Sequence, residues 1–428
     1  VPSMGTVGAS GDLTPLAHMA ATLAGEGEVW IEGRRVPAAT ALPRAGLTPV
    51  VFHAKEGIAL VNGTSAMAGI AAVNADEFRR QIDLGIRASL MYAEIFSGRA
   101  EAFDPRLGRL RPHAGQIEVH RRLAELTAVG SRLVATSSTL DSLPSGEPSE
   151  HADSAHPDAG PRPPARAERP VQDPYTIRCV PQLYGAALDV LAFHDGIVET
   201  ELASVTDNPV LFPEDDVVVQ GGNFFGQHVA FASDALSNAV ITIAGHMERA
   251  IARLTDPVRS QGLPPMLQPR SPGRQSGFMG AQVTATALLA EMRTHAVPAS
   301  IQSIPTNADN QDVVTMGTIA ARNTAAQIEM LWDMTAIFLL VLAQAAQLRT
   351  EEETPRDPAE SSGAAGAADG GAHGSRSGAA PRSLQGSVFA RSSIELHELV
   401  RKHSARLDDD RPLSGDIERL SAALSVPS

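Results

Sequence analysis

The stretch Val313–Arg349, VVTMGTIAARNTAAQIEMLWDMTAIFLLVLAQAAQLR, is apolar almost all round. A helix with one apolar stripe covers one side of a core, whereas a helix with no polar face has to be covered on every side. The stretch therefore predicts the central helix of a bundle. Its longest apolar run, Ala336–Ala343, is bounded by Thr335 and Gln344 and falls far short of the ~20 residues a membrane helix needs. Upstream, Leu236, Val240, Ile243, Met247, Ile251 and Leu254 step by three or four through Asp234–Thr255, one apolar helix face. Glu56–Phe96 also reads as mostly helical. Pro15 suits the first turn of a helix starting near Thr14, where its missing N–H is not needed. Val29 and Ile31 alternate weakly within Glu28–Val36, which predicts a small β-ribbon turning at Gly33-Arg34. Aromatic residues make up only 4%. The fold class is all-α: a long central helical bundle with a small β-ribbon near the glycine-rich opening. Long buried helices often find cover in subunit interfaces, so an oligomer is expected.

Two stretches break the periodicity. Ser137–Pro170 and Glu351–Gly386 are rich in small and polar residues, cannot bury enough apolar surface to offset ordering entropy, and are expected to be disordered or extended. The 428 residues thus divide into 1–136, an insert at 137–170, a central part at 171–349, a linker at 350–392 and a charged helical tail at 393–428. At 43% apolar residues there is ample material for a core. Net charge is 35 − 49 = −14, an acid excess that argues against a nucleic-acid or anionic-membrane partner. Cys179 is the only cysteine, so no internal disulfide can form and a reducing, cytoplasmic compartment is expected. The chain opens on Val1 inside a glycine-rich motif and reads as a fragment.

That motif is Gly5-Thr6-Val7-Gly8-Ala9-Ser10-Gly11-Asp12-Leu13. Taken alone, Ser10 or Asp12 caps the helix that follows and the glycines shape a turn. A second chemistry is open to Ala9-Ser10-Gly11. In a very tight loop the Gly11 nitrogen can reach the Ala9 carbonyl, because glycine has no Cβ to clash. Ring closure with loss of water, then loss of the Ser10 hydroxyl as a second water, leaves an exocyclic methylene. The product is an electrophile that no ordinary side chain supplies.

Gly5 to His18 resembles the signature of the aromatic amino acid ammonia-lyase family, which includes the histidine, phenylalanine and tyrosine ammonia-lyases and the related 2,3-aminomutases. Four further elements resemble that family in order: Leu60-Val61-Asn62-Gly63-Thr64, Gln172-Asp173-Pro174-Tyr175-Thr176-Ile177-Arg178, Gly221-Gly222-Asn223-Phe224-Phe225-Gly226, and Asn307-Ala308-Asp309-Asn310-Gln311-Asp312. The resemblance implies that Ala9, Ser10 and Gly11 mature autocatalytically into 4-methylidene-imidazol-5-one (MIO), and that the protein is a homotetramer acting on a small aromatic amino acid. It implies a catalytic Tyr175 and a substrate site of Asn62, Gln172, Arg178, Phe224, Asn307, Asn310 and Gln311. The family's Tyr base precedes the matching segment, so residues 1–428 are expected to lack it.

Physical reasons accompany these roles. The Arg178 fork suits an α-carboxylate, because it donates two parallel hydrogen bonds; the alternative is a structural salt bridge. Tyr175 can polarise a leaving amine, or it is a buried tyrosine with a satisfied hydroxyl. Asn62 and Gln172 can bond the ring carbonyl and substrate, or cap helices and bridge the core. Phe224 packs on the prosthetic group or simply fills core. His18 and His53 read as structural, and with no ligand-spaced His/Cys cluster no metal site is expected. Histidine-specific members, by the resemblance, carry Glu where this chain has Gln311, and a neutral amide fits a phenyl or phenol better than an imidazole. The expected function is ammonia elimination from tyrosine or phenylalanine. The alternatives are an aromatic 2,3-aminomutase, a histidine ammonia-lyase, and a catalytically incomplete fragment that acts only in assembly.

Overall fold

The computed structural model describes residues 1–135, 172–270, 273–353, 384 and 386–426. The disorder expected at 137–170 and across most of 351–386 lies outside the described residues. The chain begins with α1 (Leu13–Leu23), a ribbon of β1 (Glu28–Ile31) and β2 (Arg34–Pro37), and the short helices α2 (Ala38–Arg44) and α3 (Glu56–Val61). Then follow α4 (Ser65–Ile95), α5 (Pro105–Leu110), α6 (Ala114–Thr127), α7 (Tyr175–Arg178) and α8 (Val180–Leu202). A second ribbon, β3 (Val210–Phe212) and β4 (Val217–Val219), leads into α9 (Gln227–Thr255), α10 (Met279–Thr294), α11 (Gly317–Glu353), α12 (Arg391–His403) and α13 (Ser414–Ser425). Both ribbons are antiparallel pairs.

The architecture follows the hydrophobic pattern. α11 runs through the bundle and packs against α9, α4, α10, α12 and α13. Phe338 to Ala343 are all at most 1% exposed. By length and composition α11 could cross a membrane, yet its apolar window is 72% buried here, as befits the centre of a bundle. The six apolar positions of α9 from Leu236 to Leu254 are buried as their spacing predicts. Each such side chain contributes about 1.5–3 kcal/mol relative to exposure. Polar groups within this core find partners: the Gln344 amide donates to the Leu407 carbonyl at 2.8 Å and accepts from its N–H at 3.2 Å.

Several boundaries differ from expectation. The ribbon turns at Glu32-Gly33, not Gly33-Arg34, since Ile31 pairs with Arg34 and both turn residues have positive φ, +48° and +74°, the twist that tight hairpins prefer. The central helix starts at Gly317, because Met316 takes a left-handed φ of +57° that no helix continues through. The tail is two helices, and between them Asp409 and Asp410 tie back to Gln275, Ser276 and Gly277. The stretch Glu56–Phe96, expected to be mostly helical, is two helices interrupted at Asn62–Thr64, and the candidate site lies at that interruption.

Candidate active site

The loop 5–12 lies against the interruption between α3 and α4. Asp12 N donates to Gly63 O at 2.7 Å and Gly63 N to Ser10 O at 3.3 Å, forming a parallel bridge between Gly11 and Gly63. Only side-chain-free residues approach this closely: a Cβ on Gly11 would overlap the Gly63 carbonyl, and one on Gly63 would meet Thr206 Oγ1 at 2.5 Å. Ser10 and Gly11 have φ of +53° and +71°, a conformation that costs a serine about 1–2 kcal/mol. The surrounding contacts hold it there. Ser10 Oγ donates to Asn62 Oδ1 at 2.6 Å.

Asn62 is itself fixed. Its Nδ2 donates to Asp207 Oδ1 at 3.1 Å and to the Asn208 carbonyl at 3.2 Å, while Asp207 pairs with Lys55. Because the Asn62 nitrogen faces these acceptors, its oxygen has to face Ser10. Burial raises the Asp207 carboxyl, but bonds from Lys55, Asn62 and the Asn208 N–H outweigh it, leaving the group below the usual carboxylate range. It therefore stays ionised and keeps the Asn62 amide oriented.

Asp12 anchors the loop from behind. Its carboxylate is fully buried, with Oδ2 accepting from Met67 N at 2.7 Å and Oδ1 from Thr318 Oγ1. It stands at the N-cap of α1 but makes no side-chain bond there. Instead it caps α4, whose own preceding residue, Thr64, turns its hydroxyl to Glu201. Burial raises the Asp12 carboxyl above its ordinary range, against the pull of Thr318 and Met67. One carboxylate thus pins the loop to the positive ends of the two longest helices, α4 and α11.

Two further loops reach this end of the bundle. Val7 and Ala9 pack on Val314, Met316 and Ala320, and Met316 N donates to Val7 O at 2.9 Å. The segment entering that contact is a turn closed by Thr306 Oγ1 on Gln311 Oε1 at 2.8 Å, and it carries Asn307, Asn310 and Gln311. The loop 221–226, with half-buried Phe224, ends at Gly226, which lies so close to Met67 and Thr64 that a Cβ would clash with Met67 Sδ.

Gln172, Tyr175 and Arg178 lie elsewhere. Tyr92 near the C-terminal end of α4 meets Thr176 through its hydroxyl, 3.1 Å from Thr176 Oγ1, whereas Asp12 and Ser10 sit at the N-terminal end. From Met67 to Tyr92 the helix rises about 40 Å at 1.5 Å per residue. One chain does not bring the two sets together. Tyr175 is 70% exposed, so it is not the buried tyrosine of the plainer reading. The Arg178 guanidinium stacks 4.6 Å from the Tyr175 ring centre. Its Nε donates to the Asp173 carbonyl at 3.1 Å, and it forms no ion pair among the described residues. Gln172 is exposed beside them.

A helical bundle carrying a serine on a left-handed, glycine-locked loop, with a half-buried arginine that has no ion pair among the described residues, fits the aromatic amino acid lyase motifs quoted above. Comparison with known proteins agrees. The aromatic amino acid lyase family matches residues 1–368, and the chain belongs to that family. It is 48% identical to a tyrosine ammonia-lyase of Cereibacter sphaeroides over 82% of this chain and 64% of that protein. It is 40% identical to a histidine ammonia-lyase of Geobacillus kaustophilus over 99% of this chain and 71% of that protein. The chain thus spans about two thirds of these relatives. Among solved structures, a tyrosine aminomutase from Streptomyces globisporus superposes with a TM-score of 0.82 at 33% identity, covering 99% of this chain and 72% of that one.

Reading the sequence missed Asp12 as a cap of α4, and missed Lys55, Asp207 and Asn208 altogether. The turn-forming run Asp207-Asn208-Pro209 is the signal that marks this segment as a loop. Nothing in its spacing points to Asn62.

Proposed function

We propose that this chain is the core of an ammonia-lyase that converts tyrosine or phenylalanine to the α,β-unsaturated acid, with MIO formed from Ala9-Ser10-Gly11 as its electrophile. The observation that carries the reading is the opening loop: consecutive left-handed residues at Ser10 and Gly11, no room for a Cβ at Gly11, and Ser10 Oγ on the Asn62 amide oxygen. Such folding favours closure of the Gly11 nitrogen on the Ala9 carbonyl with loss of one water, the Ser10 hydroxyl leaving as the second. Once formed, the group supplies an electrophile that makes the substrate amine a better leaving group.

The remaining work falls to side chains. Asn62, oriented by Asp207, holds the reactive position. Arg178 presents its fork to the α-carboxylate, and the Tyr175 hydroxyl beside it donates to the departing amine. Phe224, Asn307, Asn310 and Gln311 line the loop end, and Gln172 the arginine end. With Ser10 and Arg178 about 40 Å apart along α4, the reading requires a second copy to bring its Tyr175 and Arg178 to the first copy's loop. Exposed apolar side chains support assembly, among them Val217, Val218 and Val219 of β4, Phe193, Phe231 and Val283. We take the assembly to be a homotetramer, in a reducing cytoplasm that suits the lone free Cys179.

Neutral Gln311 and the 48% identity to a tyrosine ammonia-lyase favour tyrosine over histidine. The likeness to a tyrosine aminomutase favours a second reading, in which ammonia is held and returned to the β-carbon. Product analysis of the full-length protein tests both. Coumarate from tyrosine, with kcat/KM roughly tenfold or more above that for histidine, is the expected result. Accumulating β-tyrosine would select the mutase, and turnover of histidine alone would overturn the substrate assignment.

A further inference from the structure

α7 is a single turn of four residues. So short a helix has no stability of its own, because nucleation costs more than one turn returns. Tyr175 and Arg178, three positions apart, share its outer face, and the residues between them face inward. Ile177 is fully buried. Thr176 is gripped twice from the interior: Tyr92 Oη lies 3.1 Å from its Oγ1, and His246 Nε2 lies 2.9 Å from its carbonyl oxygen. Tyr92 is fully buried and His246 is 5% exposed.

We infer that His246 and Tyr92 are positioning residues: by holding Thr176 from inside the bundle, they fix the direction in which Arg178 and Tyr175 face substrate. This rests on the reading that Arg178 binds the substrate carboxylate. The hydrogen-bond pattern assigns the imidazole tautomer. The Thr176 carbonyl can only accept, so Nε2 carries the proton and Nδ1 faces the Tyr184 hydroxyl, 3.5 Å away. Tyr184 closes the back of the imidazole with an edge-on ring contact, centroids 5.5 Å apart at 85°. Burial lowers the pKa of His246 against the opposing pull of the Thr176 carbonyl, and Nε2–H donates to that carbonyl whether the ring is neutral or charged. On the outer side, Arg178 bonds to the Asp173 carbonyl, and the Asp173 side chain in turn accepts from Arg99 N at 2.6 Å. The interior grip is what ties this turn to the long helices α4 and α9.

The test compares ligands with and without a carboxylate on the full-length protein, using coumarate and tyramine. His246→Leu should weaken coumarate binding and raise the KM for tyrosine about tenfold, leaving tyramine binding within about twofold. His246→Gln, whose amide can stand in for Nε2–H, should restore most of the loss. Arg178→Ala is the control and should show the same selectivity. If Arg178→Ala weakens coumarate selectively and His246→Leu does not, the positioning role is overturned while the carboxylate assignment stands. If Arg178→Ala changes nothing, the carboxylate assignment falls and the inference with it. Equal weakening of both ligands by His246→Leu would mean a merely structural role. Should His246→Leu not fold, Tyr92→Phe removes a single hydroxyl and should give a selective loss of about threefold; no selective loss there would also overturn the inference.

Discussion

The two ends of α4 are built by opposite means. At its N-terminal end the loop 5–12 is locked by backbone bonds, by glycines that meet without side chains, and by the buried Asp12 carboxylate. At its C-terminal end a one-turn helix is held mainly from within, through Thr176 and Ile177, with Tyr175 exposed and Arg178 half-buried on its outer face. The difference teaches what each end has to do. An electrophile made from the main chain needs a backbone that cannot relax. On the proposed function, an arginine that binds a carboxylate needs an outer face to offer to another copy of the chain.

The contrast is most severely tested at Ser10. In the full-length protein Ser10→Ala should lower kcat by about a thousandfold, some 4 kcal/mol at the barrier, with the helical circular dichroism unchanged. The wild-type peptide around Ser10 should weigh about two water masses less than its sequence requires, and Ser10 recovered intact would remove the electrophile from the account. At the other end, Arg178→Ala should raise KM roughly ten- to a hundredfold, the worth of about 1.5–3 kcal/mol of charged hydrogen bonding. An unchanged KM together with an unchanged kcat would leave that end without a role.

Acid should loosen the arginine end. His397, on α12 packed against α4, is held down to about 4 by burial first and then by Arg401. Its folded value lies below the ordinary 6.5, so its contribution is complete above pH 6.5 and is lost as pH falls towards 4. The loss by pH 5 amounts to about 2 kcal/mol. Hydrogen-exchange protection in α12, corrected for the slower intrinsic exchange in acid, should therefore fall between pH 7 and 5, and His397→Gln should flatten that dependence. The smallest effect is expected at the loop end, where Asp12→Asn keeps one acceptor and should cost about 1 kcal/mol in urea unfolding. A cost of nothing would mean that Asp12 does not pin α4.

Much of this was legible in the sequence. The spacing of Leu236 to Leu254 gave one face of α9, and the all-apolar run after Val313 gave the central helix, because both signals repeat every turn. Ser10 with Asn62 followed from motifs, and the two do touch. What stayed hidden depends on partners distant in the chain. Asp12 caps a helix 55 positions away, and Asn62 takes its orientation from Asp207 at a separation of 145. Val217–Val219 is too short a strand for alternation to declare itself. The motifs placed Arg178 in the same set as Ser10, yet no motif states that helix α4 separates them.

The most direct test of that separation mixes two defective forms. Full-length Ser10→Ala and Arg178→Ala proteins, co-assembled and assayed below KM, should be nearly inactive alone yet recover about a quarter of wild-type activity together, since random mixing joins an intact loop to another copy's intact arginine in that share of sites. A mixture no more active than the mean of its parents would contradict a site shared between copies.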